Sequence, residues 1–92
     1  MLRVLKKFVV YILRTNKNTL YTGYTNDLEK RLTKHKNGKG AKYMRSFDDF
    51  KLVYRETFET KSEALKREAE IKKMTKNKKE ELIGGIINHE NI

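Results

Sequence analysis

The stretch from Tyr11 to His35, YILRTNKNTLYTGYTNDLEKRLTKH, decides how the rest of the chain is read. Its beginning lies in FVVYILR at residues 8–14, where both alternating faces are apolar and β-branched or aromatic side chains dominate. That is the pattern of a strand covered on two sides and central in its sheet. The polar link TNKNT leads into LYTGYT at residues 20–25, a second β-rich run at hairpin distance, so the two strands are predicted to pair antiparallel. Asn26 as N-cap, with Asp27 in the first turn and Glu29 three residues after the cap, predicts a helix that stops near Gly38.

Working outward, KGAKYMRSFDDF at residues 39–50 reads as a connection with one helical turn, and KLVYRETF at 51–58 alternates as a third strand. Thr60 with Glu63 forms a capping box for a second helix over 61–74. Thr75 caps a short third helix that stops at the Gly84-Gly85 pair. The order β-β-α-β-α-α predicts an α+β fold, a small three-stranded, mainly antiparallel sheet flanked by helices. One domain should occupy residues 1–83, with 84–92 as a loose tail.

Twenty-two Lys+Arg against 12 Asp+Glu give the 92-residue chain a net charge of +10. Such an imbalance concentrates polyanions, and nucleic acid is the partner it favours. Cysteine is absent and only two histidines occur, which excludes a disulfide framework and a thiolate metal cage and fits a reducing compartment. Arg14 ends the apolar run FVVYIL too early for an export signal, and no stretch is long enough to span a membrane. A cytoplasmic protein is expected.

Several side chains sit where packing alone would not put them. On the first helix Leu28 and Leu32 mark the buried stripe, and Arg31 and His35 fall on or beside it. Singly, each reads as a snorkelling arginine or a satisfied half-buried histidine; as a pair at i, i+4 they ask for a ligand. On the second helix Ala64, Leu65 and Ile71 define the apolar arc, and Glu68 projects between Ala64 and Leu65. A carboxylate there takes either an internal salt bridge or a hard divalent ion. Tyr11 and Tyr21 come within about two residues of cross-strand register and read either as core tyrosines or as the lining of one patch. Gly23 inside a short strand marks a bulge or a place where a ligand approaches the backbone.

Between Glu29 and Asp48 there is no acid, while Lys30, Arg31, Lys34, Lys36, Lys39, Lys42 and Arg45 occur, with Tyr43 placed to stack on a base or sugar. This run reads as a groove that tracks a nucleic-acid backbone rather than as a merely solvated face. A second cluster, Lys72, Lys73, Lys76, Lys78 and Lys79, is a candidate extension of that footprint.

With these residues in place, the sequence resembles the GIY-YIG nucleases over about residues 8–82. Val10-Tyr11-Ile12 approximates the first signature triplet and Tyr21-Thr22-Gly23 the second, and YTNDLEKRLTKH, GKGAKY and REAEIKK add further matches to the small stand-alone bacterial branch. The resemblance implies that Tyr11 activates the attacking water, Tyr21 supports the phosphate and the water network, Arg31 contacts the scissile phosphate, His35 assists proton transfer or leaving-group chemistry, and Glu68 holds one Mg²⁺ or Mn²⁺ ion. These five residues are expected to converge on one concave face. Val9 departs from the signature's first glycine, and Asn77 is the only nearby candidate for an asparagine found late in many family domains, at a short spacing from Glu68.

The expected function is therefore metal-dependent nicking of DNA, damaged, branched or single-stranded. The alternative is a nucleic-acid-binding module of the same fold with little or no turnover, on DNA or RNA. A purely structural role in an assembly would explain the charge but leave Tyr11 and Glu68 unexplained. Target choice falls either to the lysines, through salt-sensitive binding, or to a protein partner.

Overall fold

Phe8–Thr15 forms β1, and from Val10 to Leu13 none of its side chains is exposed. A strand apolar on both faces needs cover on both. The computed structural model, which describes residues 7–37 and 49–85, supplies it. β2 (Leu20–Thr25), α1 (Leu28–Lys36), β3 (Phe50–Phe58), α2 (Lys61–Lys72) and α3 (Lys76–Gly84) follow, so the α+β order β-β-α-β-α-α is the observed one. The sheet runs β2-β1-β3 with both pairings antiparallel, which makes β1 central and leaves β2 and β3 as edges.

The period of two in β1 divides the core into layers. Val10 and Ile12 point to one face, where Ala64 and Ile71 of α2 and Leu82 of α3 bury against them. Val9, Tyr11 and Leu13 point to the other, where Leu28 and Leu32 of α1 pack with Tyr21 and Phe50. Two ion pairs fix the α2/α3 layer. Arg67 bonds Glu56 of β3 through Nε and Nη2 at 2.9 and 3.4 Å, and Arg14 bonds both carboxylate oxygens of Glu80 at 2.7 Å. Tyr54 also donates to Glu56; burial and then this carboxylate push the Tyr54 phenol up to about 12.

Local signals hold with three corrections. Asp27, not Asn26, caps α1: its side chain accepts from the Lys30 N–H at 3.1 Å. The Thr25 hydroxyl accepts from the Asp27 N–H at 3.1 Å and turns the chain one residue later, so Glu29 cannot close a box. Thr60 and Glu63 do form the capping box of α2, Thr75 caps α3, and Gly85 ends α3 with a φ of 74°, a conformation glycine adopts without steric cost. Leu65 does not belong to the core; it is 41% exposed, because α2 points Ala64 and Ile71 at the sheet. Consequently Glu68 does not lie within an apolar arc but on the flank of α2 opposite Arg67. The connection predicted over 39–50 and most of the tail predicted over 84–92 lie outside the described residues.

These burials set the expected stability effects. Ile71→Ala should lower the unfolding free energy by about 2–5 kcal/mol, whereas Leu65→Ala should change it by no more than about 0.5 kcal/mol, both read from urea denaturation.

Candidate active site at the edge strand

Tyr11 opposes Gly23 in the β1–β2 ladder, and the ring of Tyr11 lies directly over that glycine. A Cβ built on Gly23 would stand 2.5 Å from the Tyr11 oxygen and 3.0 Å from the ring of Tyr21. Any side chain there would expel the phenol. The absent Cβ lets Tyr11, rooted in the central strand, lay its hydroxyl over the edge strand β2, where the whole side chain stays buried.

At that edge Tyr11 Oη and His35 Nε2 are hydrogen-bonded at 3.1 Å. His35 is 3% exposed, the single buried residue of α1, and it stands edge-on to Tyr11, Tyr21 and Phe50 with ring centroids 6.1, 5.6 and 5.9 Å away. Its Nδ1 is buried without a hydrogen-bond partner among the described residues. If the phenol donated to Nε2, the imidazole proton would sit on Nδ1 as an orphaned N–H. In the opposite arrangement, Nε2–H donating to the Tyr11 oxygen, the phenolic O–H of the fully buried Tyr11 is the donor left over, so each arrangement orphans one donor among the described residues.

Charge around this pair is uneven. Burial, helped by Tyr21 and Glu68, pushes the Tyr11 phenol up to about 12, although Arg31 pulls the other way. Burial and then Arg31 hold His35 below its ordinary range, so both groups are neutral near pH 7. Arg31 itself donates to the Tyr24 carbonyl at 3.4 Å and, with Lys30 and Lys34, lines a polar cleft of about 140 Å³ beside the start of α1.

Glu68 reaches the cluster from the other layer. α2 packs on the face away from Tyr11, so the two residues are rooted on opposite faces of the sheet, not on a shared one. Arg67 on one flank of α2 is tied to β3; Glu68, 100° around the helix, therefore projects toward the β2 side. There it acts electrostatically on the Tyr11 hydroxyl at the sheet edge. Its carboxylate is 17% exposed and meets Lys72 Nζ at 3.2 Å.

Tyr11, Tyr21, Arg31 and His35 are thus gathered at one edge, Gly23 makes room for them, and Glu68 approaches from beneath. Lys30, Lys34 and Lys36 are exposed along α1. Asn77 is exposed on the first turn of α3 and makes no contact with the cluster among the described residues. Lys39, Lys42, Tyr43 and Arg45 lie outside the described residues. Sequence reasoning missed Phe50, which closes the aromatic wall around His35 from a distant strand, and the buried Thr22 hydroxyl, which has no hydrogen-bond partner among the described residues. Neither has a local sequence signal, since each depends on strand register.

Residues 7–81 match the family model described as the GIY-YIG catalytic domain. The chain belongs to the GIY-YIG family. Membership in this nuclease family agrees with the positions of the signature tyrosines and Gly23. The chain is 53% identical over 77 residues to a UPF0213 protein of Staphylococcus saprophyticus, covering 84% of this chain and 94% of the relative. Among solved structures it is similar to the UPF0213 protein of Bacillus halodurans, with a TM-score of 0.56 at 44% identity over 84% of this chain and 82% of that one. It is also similar to the protein EF2693 of E. faecalis, with a TM-score of 0.63 at 38% identity over 92% of this chain and 91% of that one.

The electrostatics yield a titration test. Arg31→Gln should raise the His35 pKa while burial keeps it below the ordinary value, read from imidazole ¹⁵N shifts. Because the folded pKa is depressed, the unfolded chain binds the extra proton first: His35 stabilises the fold above about pH 6.5, and that stability is lost as pH falls from there through the folded pKa. An unchanged His35 pKa in the variant would break the link between the two residues.

Proposed function

We propose that the protein is a metal-dependent endonuclease that nicks DNA, with branched, damaged or single-stranded forms as substrates. The observation that carries this reading is the buried, neutral Tyr11–His35 pair over the edge strand β2, with the Arg31 guanidinium and the Glu68 carboxylate both acting on the same phenol. Phosphodiester hydrolysis needs an in-line water, a group to take its proton, and positive charge on the non-bridging oxygens. Arg31 supplies the charge, and the basic face of α1 with Lys30, Lys34 and Lys36 supplies the track for the backbone. The hydrogen bond between Tyr11 Oη and His35 Nε2 fixes the phenol for the water, and Tyr21 packs beside the Tyr11 ring.

The donor set suits a hard ion completed by its substrate. Among the described residues no group of three or more His, Cys, Asp or Glu could hold a metal. Glu68 is a single, largely covered carboxylate, the kind of ligand Mg²⁺ or Mn²⁺ accepts when phosphate and water fill the remaining positions. Such an ion supplies positive charge to the phosphate and acidifies a bound water. Without it, a phenol at about 12 is ionised in roughly one molecule in 10⁵ at pH 7, too seldom to serve as a base. That same raised pKa favours the second reading, a binding module of the nuclease fold without turnover. A cysteine-free chain with this task suits the cytoplasm, and a protein partner is a natural source of target choice.

Purified protein should nick plasmid, branched or single-stranded DNA in Mg²⁺ or Mn²⁺ and not in EDTA, and Tyr11→Phe, Arg31→Ala and Glu68→Gln should each slow it by about 10²-fold or more. Cleavage that survives Glu68→Gln would overturn the reading. Salt-sensitive binding with no cleavage by any variant would establish the module instead.

A further inference from the structure

Glu68 is the least exposed of the acids that form ion pairs in the described residues, at 17% of its side chain, against 29% for Glu56 and 36% for Glu80. Those better-exposed acids are held by arginine forks: Glu56 receives two bonds from Arg67 and one from Tyr54, and Glu80 two from Arg14. The most desolvated carboxylate receives the weakest partner, a single 3.2 Å contact from Lys72, whose own side chain is 55% exposed. No other ion pair or hydrogen bond reaches Glu68 among the described residues. A lysine on a flexible stem, one helical turn along and open to solvent, is a counter-ion that can leave at small cost. An arginine fork would not release it so easily.

We propose that Lys72 is the resident counter-ion of Glu68, displaced when a divalent cation binds that carboxylate, and that the released ammonium then pairs with a backbone phosphate of the bound strand. The inference rests on the metal-dependent reading above. It gives Lys72 two successive anions. In the free protein it neutralises a carboxylate that burial would otherwise leave unpaired. In the loaded protein it would be repelled by the ion and turn outward, at the end of α2 where Lys73 and Lys76 already form a basic cluster. Metal binding and strand binding would then assist each other through one side chain, since each favours the Lys72 position that the other requires. Lys72 is a positioning residue here, holding the Glu68 carboxylate in place until the metal arrives.

Mn²⁺ titration of ¹⁵N-labelled full-length protein, followed by paramagnetic broadening of the amide signals of α2 and Tyr11, tests this without relying on cleavage. Lys72→Met should bind Mn²⁺ roughly three- to tenfold more tightly than wild type, because a competing positive charge is gone. Lys72→Arg should not bind Mn²⁺ more tightly, and Glu68→Gln should lose the broadening. In a filter-binding assay, Ca²⁺ should strengthen binding of a single-stranded oligonucleotide to wild type more than to Lys72→Met. If Lys72→Met binds Mn²⁺ no more tightly while Glu68→Gln abolishes binding, the counter-ion role is overturned and the metal site stands. If Glu68→Gln changes nothing, or no variant shows broadening, both the role and the metal reading fall.

Discussion

The contact between the Tyr11 phenol and the bare backbone of Gly23 is the constraint on which the rest of the site depends. A central strand must bury both of its faces, and Tyr11 is accordingly inaccessible along its whole side chain. Its hydroxyl becomes useful only because the neighbouring edge strand presents a residue with no side chain at the crossing point. Core packing and site construction are thus the same event. The strand that nucleates the two-layered core also delivers the polar atom around which Arg31, His35 and Glu68 are arranged.

Burial has opposite uses for the groups that meet there. It drives Tyr11 up to about 12 and His35 down, so both neutral forms are favoured and the hydrogen bond between them carries no net charge. The charged members are kept nearer solvent, Arg31 on the rim of a polar cleft and Glu68 against an exposed lysine. A neutral pair thus lies between charges of opposite sign, the arrangement on which the proposed phosphate site rests. The fold achieves this from two layers: α1 contributes Arg31 and His35 above the sheet, and α2 contributes Glu68 below it, with β2 short and open between them.

What was legible in the sequence follows from the range of each interaction. The apolar run of β1, the capping box at Thr60 and Glu63 and the glycine stop at Gly85 act locally, and the fold class came from them together. Tyr11, Tyr21, Gly23, Arg31 and His35 could be grouped because a hairpin and the helix directly after it bring them together over a short span. The azimuth of α2 could not be read, since Arg67 and Glu56 fix it across eleven positions of chain, and with it Leu65 turned outward and Glu68 to a flank. Phe50 against His35 and Lys72 against Glu68 likewise depend on register and rotation rather than on composition.

The central claim is that Tyr11 and Glu68, rooted on opposite faces of the sheet, work as one unit at its edge. A double-mutant cycle on the single-turnover cleavage rate tests it most directly, comparing wild type, Tyr11→Phe, Glu68→Gln and the double variant on one nicked-DNA-forming substrate. Groups that serve one transition state are strongly non-additive, so the double variant should be hardly slower than the more damaged single variant. Losses that simply multiply would show the two residues acting independently and would contradict the site described here.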